Sequence, residues 1–159
     1  MSRDGLRRAC TAAAVVVPMG IAAGALAVDG RDARVFLLLY IAPFFVAFFA
    51  WARIRVDEIG NTSAGARAVD ALATVLAGVR MAGPFVPASG HMLFFTYSAL
   101  ATRSVPYRLL VLALVAETTW YKLFVWDDFA SWALGIAAGL TLAAVRLLIH
   151  RSTRSVPVP

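Results

Sequence analysis

Long apolar blocks separated by short polar segments run along the chain. The apolar residues fill stretches long enough to be membrane helices, instead of alternating as they would in a half-buried strand. One further block, 64–83, carries Arg67, Asp70 and Arg80, so it fits either a membrane span or an amphipathic helix on the bilayer surface. The clear blocks lie at about 10–28, 35–51, 91–102, 109–125 and 129–149.

The arginines at the ends of these blocks decide between the two interpretations of 64–83. Loops on the cytoplasmic side of a membrane are enriched in Lys and Arg. The chain must cross the membrane between Arg55 and His91 if both of its basic ends are to lie on that side. The sequence therefore predicts an all-α, polytopic six-helix transmembrane bundle with both termini in the cytoplasm. The arginines used are Arg3, Arg7, Arg8, Arg53 and Arg55 at one end, and Arg103, Arg108, Arg146, Arg151 and Arg154 at the other.

The domain organisation follows from the same blocks. We predict a cytoplasmic N-terminus at 1–9, a single transmembrane helical domain at 10–149, and a disordered cytoplasmic tail at 150–159. The basic start followed by small apolar residues imitates a signal peptide, but the charge pattern favours a retained first span. The run Asn61-Thr62-Ser63 predicts a helix cap before the third block.

Composition supports an integral membrane protein. Of the 159 residues, 61% are hydrophobic and 15% are charged, whereas soluble domains average about 45–50% apolar and about 25% charged residues. We expect the plasma (inner) membrane of a prokaryote. The net charge of +6 is explained by membrane orientation, and no nucleic-acid partner is indicated because no basic stripe is interleaved with aromatic residues. The single cysteine, Cys10, excludes an intramolecular disulfide and a cysteine-built metal site.

The candidate chemistry lies in two segments that are far apart in the chain. One is PASGH at 87–91, where the fourth block begins, and the other is ETTWYKLFVWDD at 117–128, where the fifth block ends. The six-span topology puts both at the extracytoplasmic face. Ionisable residues within membrane spans are costly and are usually functional or paired. Those of interest here are His91, Glu117, Lys122, Asp127 and Asp128.

The first segment resembles a known motif. PASGH followed by an apolar helix is similar to the P-S-G-H motif of the phosphatidic acid phosphatase type 2 superfamily. The return helix and DDFASWALGIAAG resemble that family's last motif, S-R-x5-H-x3-D, which is followed by small residues such as Ser131 and Gly135 here. The resemblance covers about 84–140 of the chain.

The resemblance implies a six-span core with both motifs at one membrane face. It implies that His91 is the general acid that protonates a leaving alcohol, and that Ser89 and Gly90 bind phosphate. It also implies a lipid phosphate as the substrate and an aspartate, Asp127 or Asp128, that orients the nucleophile.

The nucleophilic histidine of the family is missing from the last motif. Counting back from Asp128 leads to Phe124, and counting back from Asp127 leads to Leu123. His150 is predicted to lie at the opposite membrane face. A normal histidine-phosphate mechanism therefore lacks its nucleophile in this chain.

The family's phosphate-binding arginine is missing as well. Thr118 or Glu117 stands at the position of that arginine. The upstream K-x6-R-P motif is also missing, and only Arg80 with Pro84 weakly resembles it. Lys122 lies one turn after Thr118 on the same helix face. It could replace the arginine as a phosphate-binding point charge, without bidentate geometry. Lys122, Thr118 and Arg80 therefore join the candidate substrate-binding residues.

Three functional hypotheses are compatible with these residues. The first is a divergent phosphatase-like protein that binds or dephosphorylates a lipid or polyprenyl phosphate, with His91 as acid and Glu117, Asp127 or Asp128 as base, nucleophile or orienting group. The second is a non-catalytic lipid-binding protein, or a partner of another membrane protein or of a second copy. The third and weaker hypothesis is a small transporter that uses the intramembrane charges, although no internal repeat favours it.

No cofactor is indicated, and a metal site lacks a spacing signature although the acids and His91 could bind a divalent ion. The same residues also have structural interpretations. His91 fits a helix cap, Glu117 and Lys122 a buried ion pair, and Asp127 and Asp128 helix N-caps. Interface positions explain the nearby aromatic residues Trp120, Tyr121, Trp126 and Trp132.

Overall fold

The computed structural model describes residues 2–82 and 88–152, without the side chains of Asp32 and 80–82. Within those ranges the chain is helical and contains no strand, which confirms the all-α prediction. Six helices follow one another. They are α1 (Arg3–Ala27), α2 (Arg31–Phe36, Leu37–Ile41, Ala42–Glu58 and a final turn at Ile59–Asn61), α3 (Ala64–Ala82), α4 (Gly90–Ala101), α5 (Val105–Trp120, extended by Tyr121–Val125) and α6 (Phe129–Ser152).

Three helices in the described part of the chain are long and apolar enough to cross a membrane. They are α1, most of α2 (Ala33–Asn61) and α6. In contrast, α4 has 12 residues and is therefore about 18 Å long, whereas a bilayer core is about 30 Å thick. The helices fit a membrane protein, and the six-span arrangement with both termini in the cytoplasm stays a prediction.

Several helices extend beyond the predicted spans; α2, for example, begins at Arg31 and continues past Trp51 to Glu58, and α5 begins at Val105. α1 begins at Arg3, where Ser2 caps it by accepting a hydrogen bond from the Gly5 N–H (3.1 Å). The first turns are held because the Arg3 guanidinium donates to the Val56 carbonyl oxygen (3.0 Å). α6 continues to Ser152, so the first residues of the predicted tail are helical. Residues 153–159 of that tail lie outside the described residues.

The chain divides into two compact units, and the first is Met1–Ile59. It is a hairpin of α1 and α2, joined by a turn in which Gly30 has a φ of 109°. That left-handed conformation favours glycine. α2 widens at Leu37–Ile41, where the Ala42 N–H donates to the Leu37 carbonyl, five residues back. Pro43 follows at once, and because proline has no N–H the wider turn accommodates the lost helical bond.

The second unit, Gly60–Pro159, is built around α4. This short helix is buried along nearly its whole length, and Tyr97 and Phe94 have no exposed surface. α4 runs parallel to α6, and the two backbones approach closely because small residues lie between them. A methyl group added at Gly139 would lie 2.8 Å from the Leu93 carbonyl oxygen. The small-residue positions expected after the last motif therefore face α4.

α3 lies antiparallel to α6 in the same unit. A methyl group on Gly65 would lie 2.8 Å from the Ile149 side chain, and Asp70 pairs with Arg146 one to two turns further along. The predicted cap is confirmed, because Ser63 Oγ accepts from the Ala66 N–H (3.3 Å). Asp70, one of the three charged residues that made 64–83 ambiguous, is thus neutralised inside the unit.

Candidate functional site

A wide turn at the end of α5 holds Lys122 next to Asp128. In this turn the Trp126 N–H donates to the Tyr121 carbonyl (3.0 Å), and the Asp128 N–H donates to the Lys122 carbonyl (2.8 Å). Lys122 Nζ lies 2.5 Å from Asp128 Oδ2. Lys122 is only 8% exposed, so this ion pair is shielded from water on the lysine side.

Asp128 also forms the start of α6. Its Oδ1 accepts from the Ser131 N–H (3.3 Å), which is the hydrogen bond of a helix N-cap. The Ser131 hydroxyl in turn lies 3.5 Å from Lys122 Nζ. Burial acts to raise the pKa of Asp128, but the hydrogen bond and charge of Lys122 and the bonds from Ser131 outweigh it, and the pKa is lowered. Asp128 is therefore a carboxylate at neutral pH.

The PASGH segment joins this pair through its backbone. The Ser89 N–H donates to the Ser131 carbonyl oxygen (2.8 Å), and Ser89 Oγ caps α4 by accepting from the Met92 N–H (3.4 Å). A methyl group at Gly135 would lie 2.7 Å from the Ser89 carbonyl oxygen. We call Ser89, Lys122, Asp128 and Ser131 the Lys122 cluster. It brings together segments from the two motif regions.

Three further candidates lie around the cluster on α4 and α5. Gly90 is the first residue of α4, and His91 in the same turn is buried with its ring edge-on to Phe95 (centroids 5.9 Å apart). Thr118 is buried one turn before Lys122. Burial of these polar residues gives the neighbourhood of the cluster a shielded, partly polar interior.

The remaining candidates are placed differently. Asp127 is exposed and adopts a left-handed φ of 49°. Its neighbour Asp128, in contrast, is half-buried and pairs with Lys122. Glu117 is half-buried on α5. The interpretation of Glu117 and Lys122 as an ion pair is wrong, because the wide turn places Lys122 next to Asp128 instead. The side chain of Arg80 and all of Pro84 lie outside the described residues.

Two structural features near the cluster go beyond the sequence-based expectations. The motif pattern marks Ser131 only as a small residue, although an Asp at a helix start is a favoured N-cap that accepts from the backbone N–H three residues later. The indole N–H of Trp132 donates to the Thr119 hydroxyl (3.0 Å), which ties α6 to α5. No sequence spacing indicates that second bond.

A second polar group lies nearer the other end of the unit. Arg146 Nε is 2.9 Å from Asp70 Oδ1, and the Tyr97 hydroxyl donates to the same oxygen. In the sequence, the only indication of this pair is that Asp70 and Arg146 carry opposite charges within apolar blocks. Their pairing required the helices to be placed side by side.

The Lys122 cluster has the groups that recognise a phosphate. Lys122 supplies a charged donor, Ser131 a hydroxyl, and the start of α4 supplies backbone N–H groups with the positive end of the helix dipole. The Lys122 ammonium is already paired with Asp128, so a phosphate oxygen would have to share that ammonium with the carboxylate. Among the described residues no group of three or more His, Cys, Asp or Glu side chains is arranged to hold a metal ion.

Comparisons with known proteins identify no relative of this chain. No protein-family model, no curated protein and no solved structure matches the chain.

Proposed function

We propose that the chain binds the phosphate group of a lipid or polyprenyl phosphate at the Lys122 cluster, on the extracytoplasmic side of the membrane. One observation carries the proposal: the 2.8 Å hydrogen bond from the Ser89 N–H to the Ser131 carbonyl oxygen. It ties the start of α4 to the start of α6, where Asp128 pairs with the buried Lys122. The resemblance of PASGH to a phosphatase motif supports the same ligand class.

Phosphate binding is favoured over hydrolysis. Phe124, one of the two positions where the family's pattern would have its histidine, is 76% exposed and carries no nucleophile. Asp128 is the only acid in the cluster, and both of its carboxylate oxygens already accept hydrogen bonds. A lipid-binding role needs no nucleophile, whereas hydrolysis would need Asp128 or Glu117 to serve as one with His91 as acid.

The test combines binding and phosphate release. Purified full-length protein in neutral detergent is titrated with phosphatidic acid and with a polyprenyl phosphate, and inorganic phosphate is assayed in parallel. Lys122→Met should weaken binding at least about tenfold, because a hydrogen bond to a charged group is lost. Lys122→Arg should retain most of the binding, since it keeps the charge.

Folding controls keep the result interpretable. The double variant Lys122→Met/Asp128→Asn removes the ammonium without leaving an unpaired carboxylate, and it should also fail to bind. Arg103→Gln, at an exposed position beyond α4, removes one positive charge and should bind normally. Binding that survives in the folded double variant would overturn the proposal.

Phosphate release separates the enzymatic alternative. Release by the wild-type protein that disappears in His91→Ala would establish hydrolysis and make Asp128 and Glu117 the first nucleophile candidates. Binding without release would favour a non-catalytic lipid-binding protein.

A further inference from the structure

A cleft of about 580 Å³ opens between α1 and α2 in the first unit. Its lining includes Arg8, Thr11 and Val15 of α1 and Arg53 of α2. It shares no residue with the Lys122 cluster, which belongs to the second unit. None of the functional hypotheses drawn from the sequence uses it.

The α1 side of the cleft changes from polar to apolar along one helix face. Arg8, Thr11 and Val15 follow at spacings of three and four residues, so their side chains lie above one another. Val15 is about 10 Å along the helix from Arg8. Exposed apolar side chains continue beyond it at Val16 and Met19. The cleft therefore offers a charged end and an apolar wall.

The charged end carries positive charge that other side chains do not neutralise. Arg7, which also lines the cleft, is held by Asp57 (Nε to Oδ1, 2.7 Å) and lies 3.9 Å from the lining residue Asp4. Arg8 and Arg53 are exposed, and within 2–82 and 88–152 no hydrogen bond or ion pair engages either side chain. Two guanidinium groups are thus available to an anion.

The position of the cleft identifies the kind of anion. α1 and most of α2 are both long and apolar enough to cross a membrane. The cleft lies at the end of the hairpin that carries five arginines, whereas the other end carries two, so the positive-inside rule assigns the cleft to the cytoplasm. Anionic phospholipid headgroups are concentrated in that leaflet, and basic pockets between membrane helices bind them. A free phosphate would use the arginines and leave the apolar wall bare.

We propose that this cleft binds an anionic phospholipid of the cytoplasmic leaflet. Arg8 and Arg53 hold the headgroup phosphate through their guanidinium forks, which match phosphate geometry. Thr11 lies beside the glycerol region, and the upper part of an acyl chain runs along Val15. The bound lipid covers the seam between α1 and α2.

The test measures lipid retention by the purified full-length protein. The protein in neutral detergent is mixed with phosphatidylglycerol or phosphatidylcholine, and bound lipid is quantified by native mass spectrometry over a concentration series. Wild-type protein should retain phosphatidylglycerol in preference to phosphatidylcholine. Arg8→Gln/Arg53→Gln should weaken phosphatidylglycerol binding about 10- to 30-fold, on the basis of the contribution of each basic residue near an anionic surface.

A charge-matched control removes two other exposed arginines. Arg31→Gln/Arg151→Gln lowers the net charge by the same amount at exposed positions that do not line the cleft, and its phosphatidylglycerol binding should equal that of the wild type. An equal loss in both double variants would reduce the effect to net charge and overturn the proposal. Equal retention of phosphatidylcholine would overturn it too, because the arginines would then have no part in selection.

Two additional arms distinguish a lipid in the cleft from a soluble anion and from a lipid at the Lys122 cluster. If millimolar inorganic phosphate displaces phosphatidylglycerol completely, the site binds a soluble anion and the lipid proposal fails. Lys122→Met/Asp128→Asn should retain phosphatidylglycerol as the wild type does. A loss in that variant would place the retained lipid at the Lys122 cluster and overturn the assignment to the cleft.

Discussion

Arg146 Nε lies 2.9 Å from Oδ1 of Asp70, which joins α6 to α3 inside the second unit. The hydroxyl of Tyr97, a residue of α4 without exposed surface, donates to the same carboxylate oxygen. One oxygen atom therefore connects three helices. A carboxylate at that depth is tolerated because both a charge and a hydroxyl compensate its loss of water.

Removal of either charge should destabilise the second unit. Asp70→Ala leaves Arg146 without its partner in a largely buried position, and we expect a loss of about 3 kcal/mol in the free energy of unfolding. Unfolding in mixed detergent micelles of increasing denaturing-detergent fraction measures it. Arg103→Met, at an exposed position, should change stability by less than about 0.5 kcal/mol.

The coupling between the two charges is measured by a double-mutant cycle. Asp70→Leu/Arg146→Leu should be more stable than the sum of the two single losses predicts, because no unpaired charge is left behind. Simple additivity in this cycle would contradict the ion pair.

Tyr97→Phe should isolate the contribution of the hydroxyl. The ring stays in the core and the hydrogen bond to Asp70 is lost, so we expect a destabilisation of about 1.5–3 kcal/mol, the range for bonds to charged groups. The same unfolding assay applies. Tyr107→Phe is a matched control, because its hydroxyl bonds the neutral Ser98 (3.0 Å) and should cost less, about 1 kcal/mol.

The close approach of α4 and α6 predicts a strict requirement for glycine at position 135. In Gly135→Ala the new methyl group would lie 2.7 Å from the Ser89 carbonyl oxygen and 2.8 Å from Met92 Cβ. The helices must separate, at a cost of about 1–3 kcal/mol. Unfolding of the purified protein in detergent measures that loss.

Gly78→Ala is the control for this substitution. Gly78 is also a helical glycine of the second unit, but a methyl group there meets nothing within 4 Å. It should be neutral or stabilise by up to about 1 kcal/mol, through reduced entropy of the unfolded chain. A destabilisation in Gly78→Ala equal to that in Gly135→Ala would refute the packing explanation.

The Lys122–Asp128 pair predicts a specific response to acid. Because the pKa of Asp128 in the folded protein is lowered from its ordinary value of 3.8, its stabilisation is complete above that value. It is lost as the pH falls below 3.8 toward the folded-state pKa. The stability difference between the wild type and Asp128→Asn should be constant from pH 7 to about 5 and should shrink below about pH 4.

Thermal unfolding across that range, in an acid-stable detergent, measures the acid response. Asp4→Asn serves as the comparison, since Asp4 is 82% exposed and lies 3.9 Å from its nearest cation. Its difference from the wild type should stay near zero throughout. A wild-type advantage over Asp128→Asn that grows on acidification would contradict the lowered pKa.

The six-span topology predicts opposite sides for the two ends of α6. On a Cys10→Ser background, which is free of other thiols, Asp127→Cys should react with a membrane-impermeant thiol reagent in intact cells. Arg151→Cys should react only after the cells are opened, because the predicted topology places it in the cytoplasm. Both positions are exposed, so burial does not limit either reaction. Labelling of both from the same side would refute the predicted topology.

The sequence by itself determined the helical character of the chain and the approximate place of each helix, although several helices extend beyond the predicted spans. Long apolar blocks predict membrane helices because a buried backbone must satisfy its hydrogen bonds internally. The sequence predicted caps at Asn61-Thr62-Ser63 and at Asp127 and Asp128, because a cap involves only residues within one turn. The structure shows Ser63 and Asp128 as the residues that cap. The approach of PASGH to the last motif region was also expected, although only from the resemblance and from the count of spans.

Only the tertiary structure decided which charges pair. Lys122 is near both Glu117 and Asp128 in sequence. The wide turn at Tyr121–Val125 places its ammonium next to the carboxylate of Asp128. Asp70 reaches Arg146 because Gly65 lets α3 approach α6 closely near Ile149. A pairing across helices depends on backbone distances and on helix rotation, and local residue spacing does not contain that information.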